Sequence, residues 1–100
     1  MITLKTLNGR NVTLSLAGRL DTVTSVDLLK EIDKIFSEGE FNITLDFKEV
    51  DYISSAGVRV VLDTQKQAKA RGTTCEIIGT TENVKKVFDI TGVSEMLNIR

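Results

Sequence analysis

Ser54 and Ser55 are the residues of this chain whose type and placement point to chemistry. They follow Asp46-Phe47-Lys48-Glu49-Val50-Asp51-Tyr52-Ile53 and precede Ala56-Gly57-Val58-Arg59-Val60-Val61-Leu62. An alternating strand ending near Phe47 therefore passes through a short connector into a helix. Serines at a helix start lie where backbone N–H groups point outward and the helix dipole favours negative charge. A phosphoryl group added there is tolerated by its own protein and changes what a partner meets. The arrangement reads as a switch.

Each of these residues also has a plainer role. Serine is a preferred helix cap, worth about 1 kcal/mol. Only one residue can be the N-cap, so the second serine is spare. Glycine inside a helix costs about 1 kcal/mol relative to alanine. Ala56-Gly57 therefore either packs closely on a sheet or lets a partner approach the serine hydroxyl. Val60 projects away from the Val58/Val61/Leu62 stripe and is expected on the surface. Arg59 could pair with Asp63 one turn on, or with a partner, and a surface ion pair is the plainer of the two. Asp21, after Gly18-Arg19-Leu20, either belongs to a turn leading into a helix or shares a site with Ser55.

What the chain lacks limits its chemistry. With no histidine there is no His-based triad, histidine metal ligand or imidazole pH switch. Cys75 is alone, so no internal disulfide or cysteine metal cluster can form, and a buried strand position in a cytoplasmic protein suits it. A net charge of −1 argues against direct nucleic-acid binding, and five aromatics are too few for a base-stacking platform. No apolar run approaches the roughly 20 residues of a membrane span, and Met-Ile-Thr-Leu-Lys is not expected to open a signal peptide. No cofactor is expected.

The 100 residues are expected to form a single domain, 1–100. Ile2 and Leu4 alternate with Thr3 and Lys5, and Asn8-Gly9 supplies a tight hairpin turn into a strand carrying Val12, Leu14 and Leu16. Gly18-Arg19-Leu20-Asp21 breaks that pattern, and Thr22 and Thr24 are candidate caps. A helix over about 23–38 buries Leu28, Leu29, Ile32, Ile35 and Phe36 and stops at Gly39. Phe41, Ile43, Leu45 and Phe47 mark the next strand. The helix over about 55–70 buries Val58, Val61, Leu62, Gln65 and Ala68. Cys75 and Ile77 face inward on the last strand, a helix over about 81–90 offers Val84, Val87 and Phe88, and 94–97 reads as a final helical turn. The order is ββαβαβα, an α/β fold. It predicts a mixed, mainly parallel β-sheet with an N-terminal β-hairpin. Every strand has one polar face, so the helices pack on one face only, and the exposed polar face favours a monomer. Asp21 and Ser55 then follow the carboxyl ends of neighbouring parallel strands and share an edge.

Gly18-Arg19-Leu20-Asp21 resembles the Gly-x-Leu-Asp segment of STAS domains, particularly the anti-sigma factor antagonists. Asp46-Phe47 and Val50–Val58 are similar to that family's phosphorylation segment, and Gly79, Val84–Phe88 and Thr91-Gly92-Val93 to its carboxyl-terminal pattern. The resemblance spans essentially the whole chain. It implies a regulatory binding module, not an enzyme. The unphosphorylated form binds an anti-sigma factor that is also a GHKL-type serine kinase and so frees a sigma factor. Phosphorylation of one serine dissolves the complex, and a PPM-type serine phosphatase resets it. By the same resemblance Ser55 is the phosphorylated residue, with Ser54 the alternative, because many members have aspartate where Ser54 stands. Asp21, Thr22, Ser54, Ser55, Ala56, Gly57 and Arg59 are the implied partner-binding residues.

Two rivals remain. Some STAS domains are non-switching subunits of transport or sensory complexes. A nucleophilic Ser55 would need a base, and neither a histidine nor a Ser-x-x-Lys is present around it.

Overall fold

A computed structural model describes all 100 residues, Met1–Arg100. In chain order the elements are β1 (Ile2–Asn8), β2 (Asn11–Leu20), α1 (Thr22–Glu38), β3 (Asn42–Ile53), α2 (Ser55–Ala70), β4 (Cys75–Ile78), α3 (Glu82–Ile90) and a 3₁₀ turn (Ser94–Met96). The four strands form one sheet in the order β1-β2-β3-β4. β1 and β2 are antiparallel, whereas β2, β3 and β4 are parallel.

Register explains the core. Val12 lies opposite Ile43 and Ile43 opposite Cys75; Leu14 lies opposite Leu45 and Leu45 opposite Ile77. All six are buried, as strand alternation requires for one face of a sheet. Their neighbours Thr13, Thr44 and Glu76 form the other face and are only half-buried. The predicted mixed sheet with one apolar and one polar face is what forms. Leu28, Ile32, Ile35 and Phe36 of α1 join the same core, with Val58, Val61 and Ala68 of α2 and Val84 and Phe88 of α3. The Phe47 and Phe88 rings meet at 6.3 Å between centroids, tilted by 46°.

Several details depart from the sequence pattern. The hairpin loop is Gly9-Arg10, since Asn8 pairs with Asn11, and only Gly9 takes a positive φ, 62°. That is the II′ arrangement, with glycine at the first central position, and Asn8 stays in the strand. A register shift between Ile2 and Leu4 inverts the alternation of β1, putting Lys5 opposite Leu14 and within 2.9 Å of Glu31 on α1. Leu4 consequently faces out.

β2 and β3 are longer than the alternation suggests. β2 does not stop at Leu16 but runs to Leu20, and β3 does not stop near Phe47 but runs to Ile53. Register shifts between Ser15 and Ala17, and between Gly18 and Arg19, break the two-residue period without breaking the pairing. Gly18 takes φ 91° at the second shift. Only Ser54 separates β3 from α2.

α2 also buries more than expected. Gly57, Val60 and Thr64 lie inward with Val58, Val61 and Ala68, while Leu62 and Gln65 are only half-buried. Val60, expected on the surface, is 9% exposed. The cause is a second neighbour: α2 packs on α1 as well as on β3 and β4, so its apolar stripe is wide. Thr64 satisfies its hydroxyl by donating to the Val60 carbonyl at 2.7 Å. At the other end of α2, the Arg71 guanidinium lies 4.8 Å from the Phe36 ring centroid and ties α2 to α1.

α3 starts after Thr81, whose hydroxyl donates to the Val50 carbonyl at 2.8 Å and fastens the helix start to β3. No helix is long and apolar enough to cross a membrane.

Two tests follow from this packing. A β-carbon on Gly57 would lie 2.8 Å from Ile53 Cγ1 and 2.9 Å from the Leu20 carbonyl oxygen. Gly57→Ala should therefore cost about 1–3 kcal/mol in urea unfolding, reversing the usual gain from alanine in a helix; an unchanged or raised midpoint would contradict the close approach. Burial pushes the Cys75 thiol up to about 12, with Glu76 adding to the shift. Thiol reagents at neutral pH should label it only at the rate of unfolding.

Candidate functional site

The two helix starts α1 and α2 lie side by side because β2 and β3 end in register. Leu20 pairs with Ile53, and the Ser54 N–H donates to the Leu20 carbonyl at 2.9 Å. Asp21 is thus the residue across from Ser54, on strands about 4.8 Å apart. The segments carrying Asp21-Thr22 and Ser54–Arg59 share one edge of the sheet, at the carboxyl ends of its parallel strands.

The serines have different jobs. Ser54 has extended backbone (φ −92°, ψ 172°) and is the N-cap of α2. Its Oγ accepts the Gly57 N–H at 3.2 Å. Ser55 is the first helical residue, is exposed, and makes no side-chain hydrogen bond with the protein. The N–H groups of Ser55 and Ala56 likewise have no protein acceptor, as expected of a first helical turn. A free hydroxyl therefore stands beside unused donors at the positive end of a 16-residue helix.

Asp21 does for α1 what Ser54 does for α2. Neither Thr22 nor Thr24 is the cap: Thr22 is the first helical residue and is exposed, and Asp21 occupies the cap position. Asp21 Oδ1 accepts the Val23 and Thr24 N–H groups, each at 3.0 Å. In return the Asp21 N–H donates to Thr24 Oγ1 at 2.9 Å, closing a capping box with threonine in the usual Glu/Gln position. The Thr24 hydroxyl donates onward to the Arg19 carbonyl at 2.6 Å. The Thr24 amide foremost holds the Asp21 carboxyl below the ordinary value of 3.8; desolvation opposes it, and the Thr24 hydroxyl, the Val23 amide and the Arg19 charge add to the lowering. Asp21 Oδ2 makes no hydrogen bond within the protein.

The remaining residues separate cleanly. Ala56 is half-buried in the first turn of α2. Gly57 is buried against Leu20 and Ile53, so its smallness serves the packing of α2 on its own strands. Arg59 is exposed, but the expected ion pair with Asp63 does not form: the ion pairs of the protein are Lys5–Glu31, Lys48–Asp46 and Arg100–Glu76. Asp63 instead accepts from Gln67 Nε2 at 3.2 Å.

Two features of this edge escaped the sequence pattern. Arg19 lies opposite Tyr52, and its guanidinium carbon sits 3.9 Å from the Tyr52 ring centroid, a cation–π pair with the ring 39% exposed. Val23, 74% exposed in the first turn of α1, adds an apolar side chain beside Asp21. The cross-strand pair becomes visible in the sequence only once β2 and β3 are extended to Leu20 and Ile53. An exposed valine gives no sequence signal at all.

No group of histidine, cysteine or acidic side chains could hold a metal ion. The Ser55 hydroxyl has no base within hydrogen-bond reach in the protein.

The sequence model of the STAS domain matches residues 2–100. An anti-sigma-B factor antagonist of Bacillus subtilis is 25% identical over 92 residues, covering 92% of this chain and 84% of that protein. Among solved structures, the unphosphorylated form of the Bacillus anti-sigma factor antagonist SpoIIAA superposes with a TM-score of 0.84 at 21% identity, covering 97% of this chain and 86% of that one. A sulfate transporter family protein from Wolinella succinogenes gives 0.77 at 19%, covering 94% and 76%. At these identities the structural likeness is one of fold.

The capping geometry makes two checks possible. Ser54→Ala should lower the unfolding free energy by about 1 kcal/mol and Ser54→Asp should restore it, since aspartate caps as well as serine. The lowered Asp21 carboxyl has a set sign: its contribution to stability is complete above 3.8 and is lost as pH falls through the lower native value. A carboxyl NMR titration should place Asp21 below 3.8, and Thr24→Ala should move it back up. An Asp21 that titrates normally in the native protein would contradict the capping box.

Proposed function

Taking as premise that the chain belongs to the STAS domain family, we propose that it is an anti-sigma factor antagonist working as a phosphorylation-controlled switch. Its unphosphorylated form binds, in the cytoplasm, an anti-sigma factor that is also a GHKL-type serine kinase, and so frees a sigma factor. Transfer of a phosphoryl group to Ser55 ends that binding, and a PPM-type serine phosphatase restores it.

One observation carries this function: of two adjacent serines, Ser54 spends its hydroxyl on the cap and Ser55 leaves its hydroxyl free and exposed. In the step itself Ser55 Oγ attacks the terminal phosphorus of a nucleoside triphosphate held by the partner. The bond from that phosphorus to the bridging oxygen breaks, the nucleoside diphosphate leaves, and the hydroxyl proton passes to a base of the partner or to water. This chain has no histidine to act as that base.

Charge explains the release. The phosphate adds about −1.5 to −2 next to Asp21, on a surface that has to meet a nucleotide-bearing protein. Repulsion there costs several kcal/mol. Inside the free protein the same charge faces the N-terminus of α2 and its unused N–H groups, which favour it. Binding is lost while the fold stays.

The test is phosphopeptide mapping after incubation with the cognate kinase. Label should fall on Ser55. Ser55→Ala should take none yet still bind, Ser55→Asp should bind weakly, and Ser54→Ala should still be labelled. Label on Ser54 alone would reverse the assignment. Recovery from cells as a stable subunit of a membrane complex, with Ser55 never modified, would favour the transport reading instead.

A further inference from the structure

Arg59 is an exposed cation one turn along α2 from Ser55, and it has no acidic partner. The reason lies in helix geometry. Side chains four residues apart stand about 5–6 Å apart at Cβ, and helical side chains lean toward the N-terminus. An acid placed N-terminal to a base at this spacing is favoured over the reverse order. Arg59 and Asp63 are in the unfavourable order, and Asp63 turns to Gln67 instead. Ser55 and Arg59 are in the favourable order, lacking only a negative charge on Ser55.

We propose that Arg59 is an internal clamp for the Ser55 phosphate, folding back one turn to pair with it. This rests on Ser55 being the modified residue. No other cation of this edge is equally free, because Arg19 is stacked on Tyr52. The charged groups around the phosphate would be Asp21 at the start of α1, Asp51 near the end of β3, and Asp63 one turn beyond Arg59. These three are acidic, and the remaining charge at this edge, Arg19 beside Asp21, is stacked on Tyr52, so Arg59 is the one that can answer it.

The clamp gives the switch a second charge change. In the unmodified protein Arg59 is available to an acidic group of a partner, a carboxylate or a nucleotide phosphate. In the phosphorylated protein it is occupied by its own helix. One modification thus adds a dianion and withdraws a cation from the same surface.

The experiment uses the full chain with phosphoserine placed at position 55 during translation, so neither kinase nor partner is needed. Three proteins are compared by ³¹P NMR titration at low salt: the otherwise unaltered chain, Arg59→Ala and Arg59→Lys. The helix start acts equally on all three and cancels in the comparison. Relative to Arg59→Ala, the second ionisation of the phosphate should lie about half a pH unit lower with arginine, with lysine between them. The difference should shrink near 1 M salt, where the screening length falls to about 3 Å. Superimposable curves for the arginine and alanine proteins would overturn the clamp. That result would leave the kinase mapping of Ser55 untouched, and mapping to another residue would in turn leave the titration standing.

Discussion

A hydrogen bond from the Ser54 N–H to the Leu20 carbonyl, 2.9 Å long, fixes the geometry on which everything else at this edge depends. It closes the last rung of the β2–β3 pairing, Leu20 with Ile53, at the threshold of both helices. Without it, two helix starts would emerge from two strand ends at no set distance. With it, the Asp21 cap and the Ser54 cap are cross-strand neighbours. Gly57 then lets α2 settle so closely that a β-carbon would strike the same Leu20 carbonyl. The Leu20 oxygen is thus both the acceptor that sets the strand register and the floor on which α2 rests.

Under the proposed function this arrangement separates stability from signalling within two adjacent residues. Ser54 is committed to the backbone, half-buried, and replaceable in principle by any good cap. Ser55 contributes nothing to the fold through its hydroxyl. A charge on Ser55 meets donors already unused at the helix start, so the native structure has no reason to yield. The mirrored cap at Asp21 supplies a fixed negative charge beside it, held ionised by the amides of Val23 and Thr24. The site is electrostatically tuned before any partner arrives.

Much of this was legible in the sequence, and what was missed has a common cause. The ββαβαβα order, the parallel core of the sheet and the boundaries of α2 follow from hydrophobic period and glycine placement. So does the meeting of Asp21 with the serines, because the topology allows the two loops no other location. The failures cluster where the period of two is interrupted. Register shifts at Ser15/Ala17 and Gly18/Arg19 hide the ends of β2 and β3 beyond Leu16 and Phe47, so Arg19 and Tyr52 look like loop residues in the sequence. The hidden inversion after Ile2 had the same effect on Leu4. Val60 failed for a different reason: a helix packed on a sheet and on another helix buries a wider stripe than one face predicts. Asp21 stands out in the sequence, but Thr22 and Thr24 beside it look like the caps there, whereas the structure gives the cap to Asp21.

The most direct measurement is the affinity of the protein for the anti-sigma kinase proposed as its partner, determined calorimetrically with and without phosphate on Ser55, alongside the urea midpoint of each form. Charge at a site outside the folding core predicts an affinity at least about a hundredfold weaker for the phosphorylated form, with midpoints that coincide. Equal affinities, or a loss of binding that tracks a fall in midpoint, would contradict it.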